Sequence, residues 1–137
     1  MLIGRSEADS IAIESSVSAV VLDAVDVSGG RRVISCAGTV SNRPQLLVSR
    51  SRLVGAASTG VFADGCGVQL IDSELAEHKD GAVELRGSTY RFAQLRVVRN
   101  QSPSNAAVRL SNDTIAGGAG ADTIEGDSGD DTIAGGG

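Results

Sequence analysis

Residues 113–137 read DTIAGGAGADTIEGDSGDDTIAGGG, and four residue types recur in this stretch at intervals of nine. The recurring residues are Asp113, Asp122 and Asp131; Thr114, Thr123 and Thr132; Ile115, Ile124 and Ile133; and Gly117, Gly126 and Gly135. Four types that keep one phase indicate an internal repeat, and a repeat of this kind predicts a stacked architecture.

Each nine-residue unit predicts a short strand that follows a tight turn. The isoleucine beside threonine favours a strand with one inward apolar side chain. The glycines permit positive φ and let backbone carbonyls converge, and an aspartate closes each turn. Calcium takes about six to eight oxygens from carbonyls and carboxylates, which such turns supply. A flexible Gly-Asp linker is the alternative, but a linker has no need to keep isoleucine in phase.

The unit GGAGADTIE (117–125) matches GGxGxDxUx at every defined position and resembles the nonapeptide of RTX (hemolysin-type) calcium-binding proteins. The next unit, GDSGDDTIA (126–134), replaces the second glycine with aspartate, and SNDTIA (111–116) is a half-unit. The resemblance implies a short parallel β-roll with Ca²⁺ as cofactor and about one or two partly formed sites. The expected calcium-binding residues are Asp113, Gly117, Gly118, Gly120, Asp122, Gly126, Asp127, Gly129 and Asp131.

The charge of the chain is concentrated in these repeats. From residue 111 onward there are six acidic residues and no lysine or arginine, whereas residues 1–110 hold 11 acidic and 12 basic residues. This imbalance favours a cation as partner and argues against nucleic acid. No stretch is long and apolar enough to span a membrane.

Residues 1–110 show a longer and looser period. Apolar residues recur every 22 residues, and short alternating segments surround them. Two strands per coil, with coils of about 21 to 28 residues, predict a right-handed parallel β-helix of about four coils. The two apolar rows are Val48, Leu70 and Phe92, and Leu53, Leu75 and Val97; the surrounding segments are 49–53, 72–75 and 94–97, and a second strand is predicted in 60–64, 81–85 and 106–110.

The predicted fold class is therefore all-β, a right-handed parallel β-helix (1–110) that continues into a short RTX parallel β-roll (111–137). Aromatic residues make up only 2% of the chain, so the interior is expected to hold Val, Ile, Leu and Ala. Cys36 and Cys66 are expected to be buried thiols that behave as small apolar residues. A disulfide between adjacent coils is the alternative, because the coil alignment brings the two cysteines together.

A β-helix followed by RTX repeats also resembles the mannuronan C5-epimerases and related polysaccharide-acting bacterial proteins. Their D-P-H-E cluster is not kept in AEHKDG (76–81), where His78 lacks the preceding Asp-Pro and Lys79 replaces Glu. His78, Asp80 and Tyr90 are weak candidates for moving a proton next to a carboxylate. The favoured interpretation is a solvated turn, and catalysis is expected to be absent from this chain.

Two further surface features are open to a functional interpretation. Asp72 and Glu74 are predicted on one side of one strand, where a lyase would place paired carboxylates. The alternative is that they are ordinary solvent-exposed acidic residues. The run SRSR (49–52), with Arg96 and Arg99, predicts a positive strip that could hold an acidic polysaccharide. The favoured alternative is that these are ordinary surface arginines without a binding role.

The predicted function is calcium binding by RTX repeats in a secreted, extracellular bacterial β-helix protein. The alternatives are a fragment of a polyuronate epimerase or lyase, and a structural or adhesive spacer without catalysis. The segment MLIGRSEADS (1–10) lacks the pattern of a secretory signal peptide. The resemblance implies type I secretion, whose C-terminal signal is expected beyond the repeats, so the chain is expected to be a fragment.

Overall fold

Short strands separated by tight corners wind the chain into a solenoid. This is seen in a computed structural model that describes residues 2–4, 7–101, 108–111 and 114–115, with side chains for 7–101. The strands in chain order are β1 (Leu2–Gly4), β2 (Ile11–Ile13), β3 (Ala19–Asp23), β4 (Asp26–Gly29), β5 (Ile34–Ala37), β6 (Gln45–Ser49), β7 (Arg52–Val54), β8 (Val61–Asp64), β9 (Gly67–Ile71), β10 (Glu74–Ala76), β11 (Val83–Arg86), β12 (Thr89–Ala93), β13 (Arg96–Val98), β14 (Val108–Ser111) and β15 (Thr114–Ile115).

Every third strand joins the same sheet, so each coil contributes one strand to each of three sheets. The sheets run β1-β4-β7-β10-β13, β2-β5-β8-β11-β14 and β3-β6-β9-β12-β15, and all pairs are parallel. We number the coils by their strands: coil 1 (β1–β3), coil 2 (β4–β6), coil 3 (β7–β9), coil 4 (β10–β12) and coil 5 (β13–β15). The all-β stacked fold is confirmed, but the prediction of two strands per coil is wrong because each coil has three.

The two predicted apolar rows are confirmed by the strand register. Val48 pairs with Leu70 and Leu70 with Phe92, while Leu75 pairs with residues 53 and 97 on its two sides. Successive coils keep the 22-residue period in these rows because the corners between them have equal lengths. The spacing is larger in coil 2, where Ile34 pairs with Val61 across the chain segment 38–44.

The corner between the third and first sheets divides segments that the sequence predicted as single strands. Ala24, Arg50, Asp72 and Gln94 occupy equivalent places there, with φ of 54°, 47°, 47° and 50°. This left-handed conformation turns the chain sharply between β3 and β4, and between the strand pairs stacked above them. The segments 49–53, 72–75 and 94–97 therefore each combine this corner with the first residues of β7, β10 or β13, and no glycine marks the turn.

Aliphatic side chains fill the interior, as the composition predicted. Leu53, Leu70, Leu75 and Leu85 have no exposed surface. The rings of Tyr90 and Phe92 also lie in this core, with centroids 5.0 Å apart. Small and medium side chains suit a narrow interior in which each coil packs directly on the next.

A disulfide joins Cys36 in β5 to Cys66, which lies between β8 and β9. The expectation of two free thiols is therefore wrong, and the alternative of a bond between adjacent coils is confirmed. Both cysteines are buried. The backbones approach closely beside the bond, since a Cβ on Gly38 would lie 2.1 Å from the carbonyl oxygen of Gly65.

We expect the double variant Cys36→Ala/Cys66→Ala to be less stable than the wild type. The bond closes a segment of 30 residues. Loss of that constraint on the unfolded chain corresponds to about 3 to 4 kcal/mol. Urea unfolding, with reduced wild-type protein as the control, measures the difference. An unchanged unfolding midpoint in both samples would contradict the bond.

The left-handed corner predicts opposite effects for two alanine-to-glycine changes. Ala24→Gly is expected to be neutral or to stabilise by up to about 1 kcal/mol, because glycine relieves the steric cost of positive φ. Ala19→Gly, an exposed position within β3, is expected to destabilise by about 0.5 to 1 kcal/mol. Thermal unfolding of both variants measures the contrast, and equal losses would argue against the corner conformation.

Candidate functional site

The predicted calcium-binding residues lie outside the described residues, but two described strands lie next to them in sequence. β15 (Thr114–Ile115) directly follows Asp113 and pairs in parallel with Thr89 and Tyr90 of β12. β14 pairs along its length with β11 and spans the predicted domain boundary at 110/111, which stays a prediction. The predicted residues are Asp113, Gly117, Gly118, Gly120, Asp122, Gly126, Asp127, Gly129 and Asp131.

His78 is fully buried, so the predicted solvated turn at 76–81 is wrong at this residue. Its Nδ1 accepts a hydrogen bond of 3.1 Å from the backbone N–H of Ala56. The backbone N–H of His78 donates a hydrogen bond of 3.0 Å to Oδ1 of Asn100. These residues are 22 apart, so each polar side chain satisfies a backbone N–H of the coil before it. The imidazole of His78 therefore has a structural role, as a hydrogen-bond acceptor for the backbone at the corner of the solenoid.

The protonation state of His78 follows from this environment. Because Nδ1 accepts a hydrogen bond, the neutral ring carries its proton on Nε2. Nε2 is buried and has no hydrogen-bond partner among the described residues. A Cβ on Gly60 would lie 2.6 Å from it, so the backbone closes over the ring. Burial lowers the pKa of the imidazole to about 4.

The other two candidate catalytic residues are not brought into an open site with His78. Tyr90 lies in β12, in another sheet, with its ring buried in the core. Asp80 lies at the corner after β10, where its carbonyl accepts a hydrogen bond of 3.0 Å from Thr59 Oγ1. A substrate on the surface does not reach the buried imidazole or ring. The arrangement among these three residues does not support proton transfer to a substrate.

His78→Asn is expected to remove one source of acid sensitivity. The unfolded state takes up the proton near pH 6.5 and the folded state only near pH 4, so folding stability falls as the pH falls between these values. The wild type should lose about 3 kcal/mol more than the variant across this window. Urea unfolding at several pH values measures the difference, and parallel curves would contradict the burial of the ring.

Asparagine is the matched replacement because Asn100 fills the equivalent corner position one coil later. Its amide offers an acceptor to the N–H of Ala56 and does not titrate. His78→Leu is the second variant, and it should be destabilised at every pH because that buried N–H loses its acceptor.

The arginines of the predicted positive strip are paired with acidic residues. Arg52 and Arg96 both contact Glu74, at 3.1 and 3.3 Å. Arg99 contacts Glu77 at 3.1 Å. These arginines therefore do not form the strip of uncompensated positive charge that an acidic polysaccharide would need.

Arg50, the remaining arginine of that strip, forms a two-point ion pair with Asp23. Its Nε lies 2.9 Å from the Asp23 carboxylate, and Nη2 contacts the other oxygen. Hydrogen bonds from Arg50 and then Ser49 lower the pKa of Asp23 to about 2. The pair links the third-sheet strands of coils 1 and 2.

The paired carboxylates predicted for a lyase are separated by the same corner. Asp72 sits at the left-handed turn after β9, whereas Glu74 begins β10 in another sheet. Both line an open groove that runs along this corner together with Asp26, Arg50 and Arg52. Among the described residues, no group of three or more His, Cys, Asp or Glu side chains is arranged to hold a metal ion. The groove has neither free positive charge nor a metal cluster.

Buried serines of the corners were missed by the sequence reasoning. Ser51 Oγ accepts a hydrogen bond of 3.1 Å from the N–H of Val25, and Ser73 Oγ accepts one of 3.2 Å from the N–H of Ser51. Ser88 does the same for the N–H of Cys66 at 3.0 Å. The 22-residue spacing of the serines in SRSR and DSEL was the available signal.

Within the described part of the chain, no helix is long and apolar enough to cross a membrane.

The C-terminal segment of the chain matches a known repeat family. The family model for the RTX calcium-binding nonapeptide repeat (4 copies) matches residues 110–137, about a fifth of the chain. No curated protein and no solved structure matches the chain. Residues 110–137 therefore carry RTX calcium-binding repeats attached to a β-solenoid, and calcium is the ion that such repeats bind. The match includes β15 and the end of β14.

Proposed function

We propose that this chain is a calcium-binding module of a secreted bacterial protein, in which the solenoid is a non-catalytic scaffold for the RTX repeats. The observation that carries the proposal is the repeat match over residues 110–137. It falls on the segment in which Asp, Thr, Ile and Gly keep a nine-residue phase.

The donor chemistry of the repeat segment fits calcium. Its aspartates offer carboxylate oxygens and its glycine-rich turns offer backbone carbonyls, the hard oxygen ligands that this ion takes. From residue 111 onward no lysine or arginine is present to neutralise the acidic side chains. A divalent cation is therefore the natural counter-charge, and the nine residues named above are its proposed ligands.

One observation supports an extracellular location. The buried disulfide between Cys36 and Cys66 suits an oxidising compartment, because cytosolic thiols are kept reduced. Extracellular calcium modules bind at roughly 10⁻⁴ to 10⁻³ M, so an extracellular location predicts an affinity in that range. The proposal therefore requires a calcium midpoint far above cytosolic concentrations.

The scaffold role of the solenoid is supported by how its polar groups are used. Arg50, Arg52, Arg96 and Arg99 are held in ion pairs between coils. His78 lies beneath the surface, where it binds backbone. No contact among the described residues favours polyuronate chemistry over this structural role. A structural scaffold that carries a calcium-binding segment fits these contacts best.

We expect saturable calcium uptake by the full chain, with a midpoint of roughly 10⁻⁴ to 10⁻³ M and a gain of β-structure on binding. The double variant Asp122→Ala/Asp131→Ala should lose this response, because both predicted carboxylate ligands are removed. Calorimetric titration and circular dichroism measure the two effects. Asp64→Ala, an exposed aspartate outside the repeats, is the matched control and should bind as the wild type does. If the double variant took up calcium as the wild type does, Asp122 and Asp131 would not be ligands of the site.

A further inference from the structure

The last described strands belong to the solenoid and to the calcium-binding repeats at the same time. β15 lies inside the segment matched by the repeat family, and so do the last two residues of β14. β15 pairs with β12, and β14 pairs with β11. The repeats are thus attached to coil 4 by backbone pairing, in addition to their connection along the chain.

We infer that coil 4 and the calcium-binding repeats form one cooperative unit through β14 and β15. Calcium binding then stabilises coil 4, and coil 4 raises the affinity for calcium. The inference rests on the proposed function and adds to it the element of the fold that regulates the site.

The first step of the argument is that coils depend on a neighbour for burial. Coil 1 and its corners, whose described neighbour lies on one side only, hold apolar residues that are only partly buried. In coil 4 and the turn that follows it, Leu85, Phe92 and Leu95 are 0%, 7% and 1% exposed. Because coil 5 lies on coil 4, undocking of its strands would return coil 4 to the condition of coil 1. The partly buried residues at coil 1 are Ile11, Val17, Val20, Leu22 and Val25.

The second step is that coil 4 and coil 5 are also joined at their corners. Gln101 donates its N–H to the His78 carbonyl at 2.8 Å, and its own carbonyl accepts from the N–H of Gly81 at 2.6 Å. The side chain of Asn100 accepts from the N–H of His78. These bonds join residues 100 and 101, which precede β14 in the chain, to the corner of coil 4.

The third step is thermodynamic. Ordering the backbone costs conformational entropy, so a calcium-binding turn that begins at a strand already paired with β12 needs less ordering on binding. Coupling between two such events is reciprocal, so whatever coil 4 adds to calcium affinity, calcium adds to the stability of coil 4. Repeat proteins transmit stability mainly between neighbouring units, so the effect should fade toward coil 1.

Hydrogen exchange of the full chain, with calcium or with a chelator, tests the inference directly. Calcium should slow exchange of the amides in 83–93 by at least about fivefold, the lower end of ordinary coupling between sites. Amides in 19–23, in coil 1, should change less. Calcium uptake without any slowing in 83–93 would overturn the inference while leaving the proposed function intact. A chain that takes up no calcium would overturn both.

A matched pair of core variants tests the reverse direction. Leu85→Ala in coil 4 and Leu46→Ala in coil 2 remove the same atoms from fully buried positions. Leu85→Ala should raise the calcium concentration at half-saturation by at least about fivefold, and Leu46→Ala by less. Equal shifts would overturn the assignment to coil 4. If Leu85→Ala does not fold, the exchange experiment on the wild type decides alone.

Discussion

Parallel backbone pairing between successive coils is the constraint on which the rest of this structure depends. No coil buries its apolar side chains alone, and Leu75 is fully buried because Leu53 and Val97 lie in register beside it. The same register places Glu74 between Arg52 and Arg96 on the outer surface. Exposed ion pairs contribute little singly. Here the backbone register places the paired side chains within reach of one another.

Corners are where a solenoid would otherwise leave backbone groups without partners. Buried N–H groups need acceptors, and at a corner the carbonyls of the neighbouring coil supply only some of them, as Ser49 does for Ala24. The chain solves this with a side chain from the following coil, such as Ser51 for Val25, His78 for Ala56, and Ser88 for Cys66. Polar residues at corners are therefore as much a part of the core as the apolar rows.

Charge is compensated in two different ways along the chain. In the solenoid, acidic residues meet arginines one coil away, as Glu77 meets Arg99 and Asp23 meets Arg50. Residues 111–137 hold six acidic residues and no lysine or arginine, and residues 110–137 match a calcium-binding family. Residues 1–110 are thus close to charge balance, whereas the repeats have an excess of acidic residues that a bound calcium ion would neutralise. The net charge of −5 is thus the sum of −6 in residues 111–137 (six acidic, no basic residues) and +1 in residues 1–110 (12 basic, 11 acidic residues).

The sequence by itself determined the stacked β architecture, the calcium-binding repeats and the apolar rows through Leu70 and Leu75. Each of these is a period, and a period can be read directly from residue spacing. The number of strands per coil, the bond between Cys36 and Cys66, and the burial of His78 were decided only by tertiary structure. Each depends on where the chain turns, and the corner at Asp72 turns without glycine because stacked pairing on both sides stabilises a conformation that local propensity disfavours.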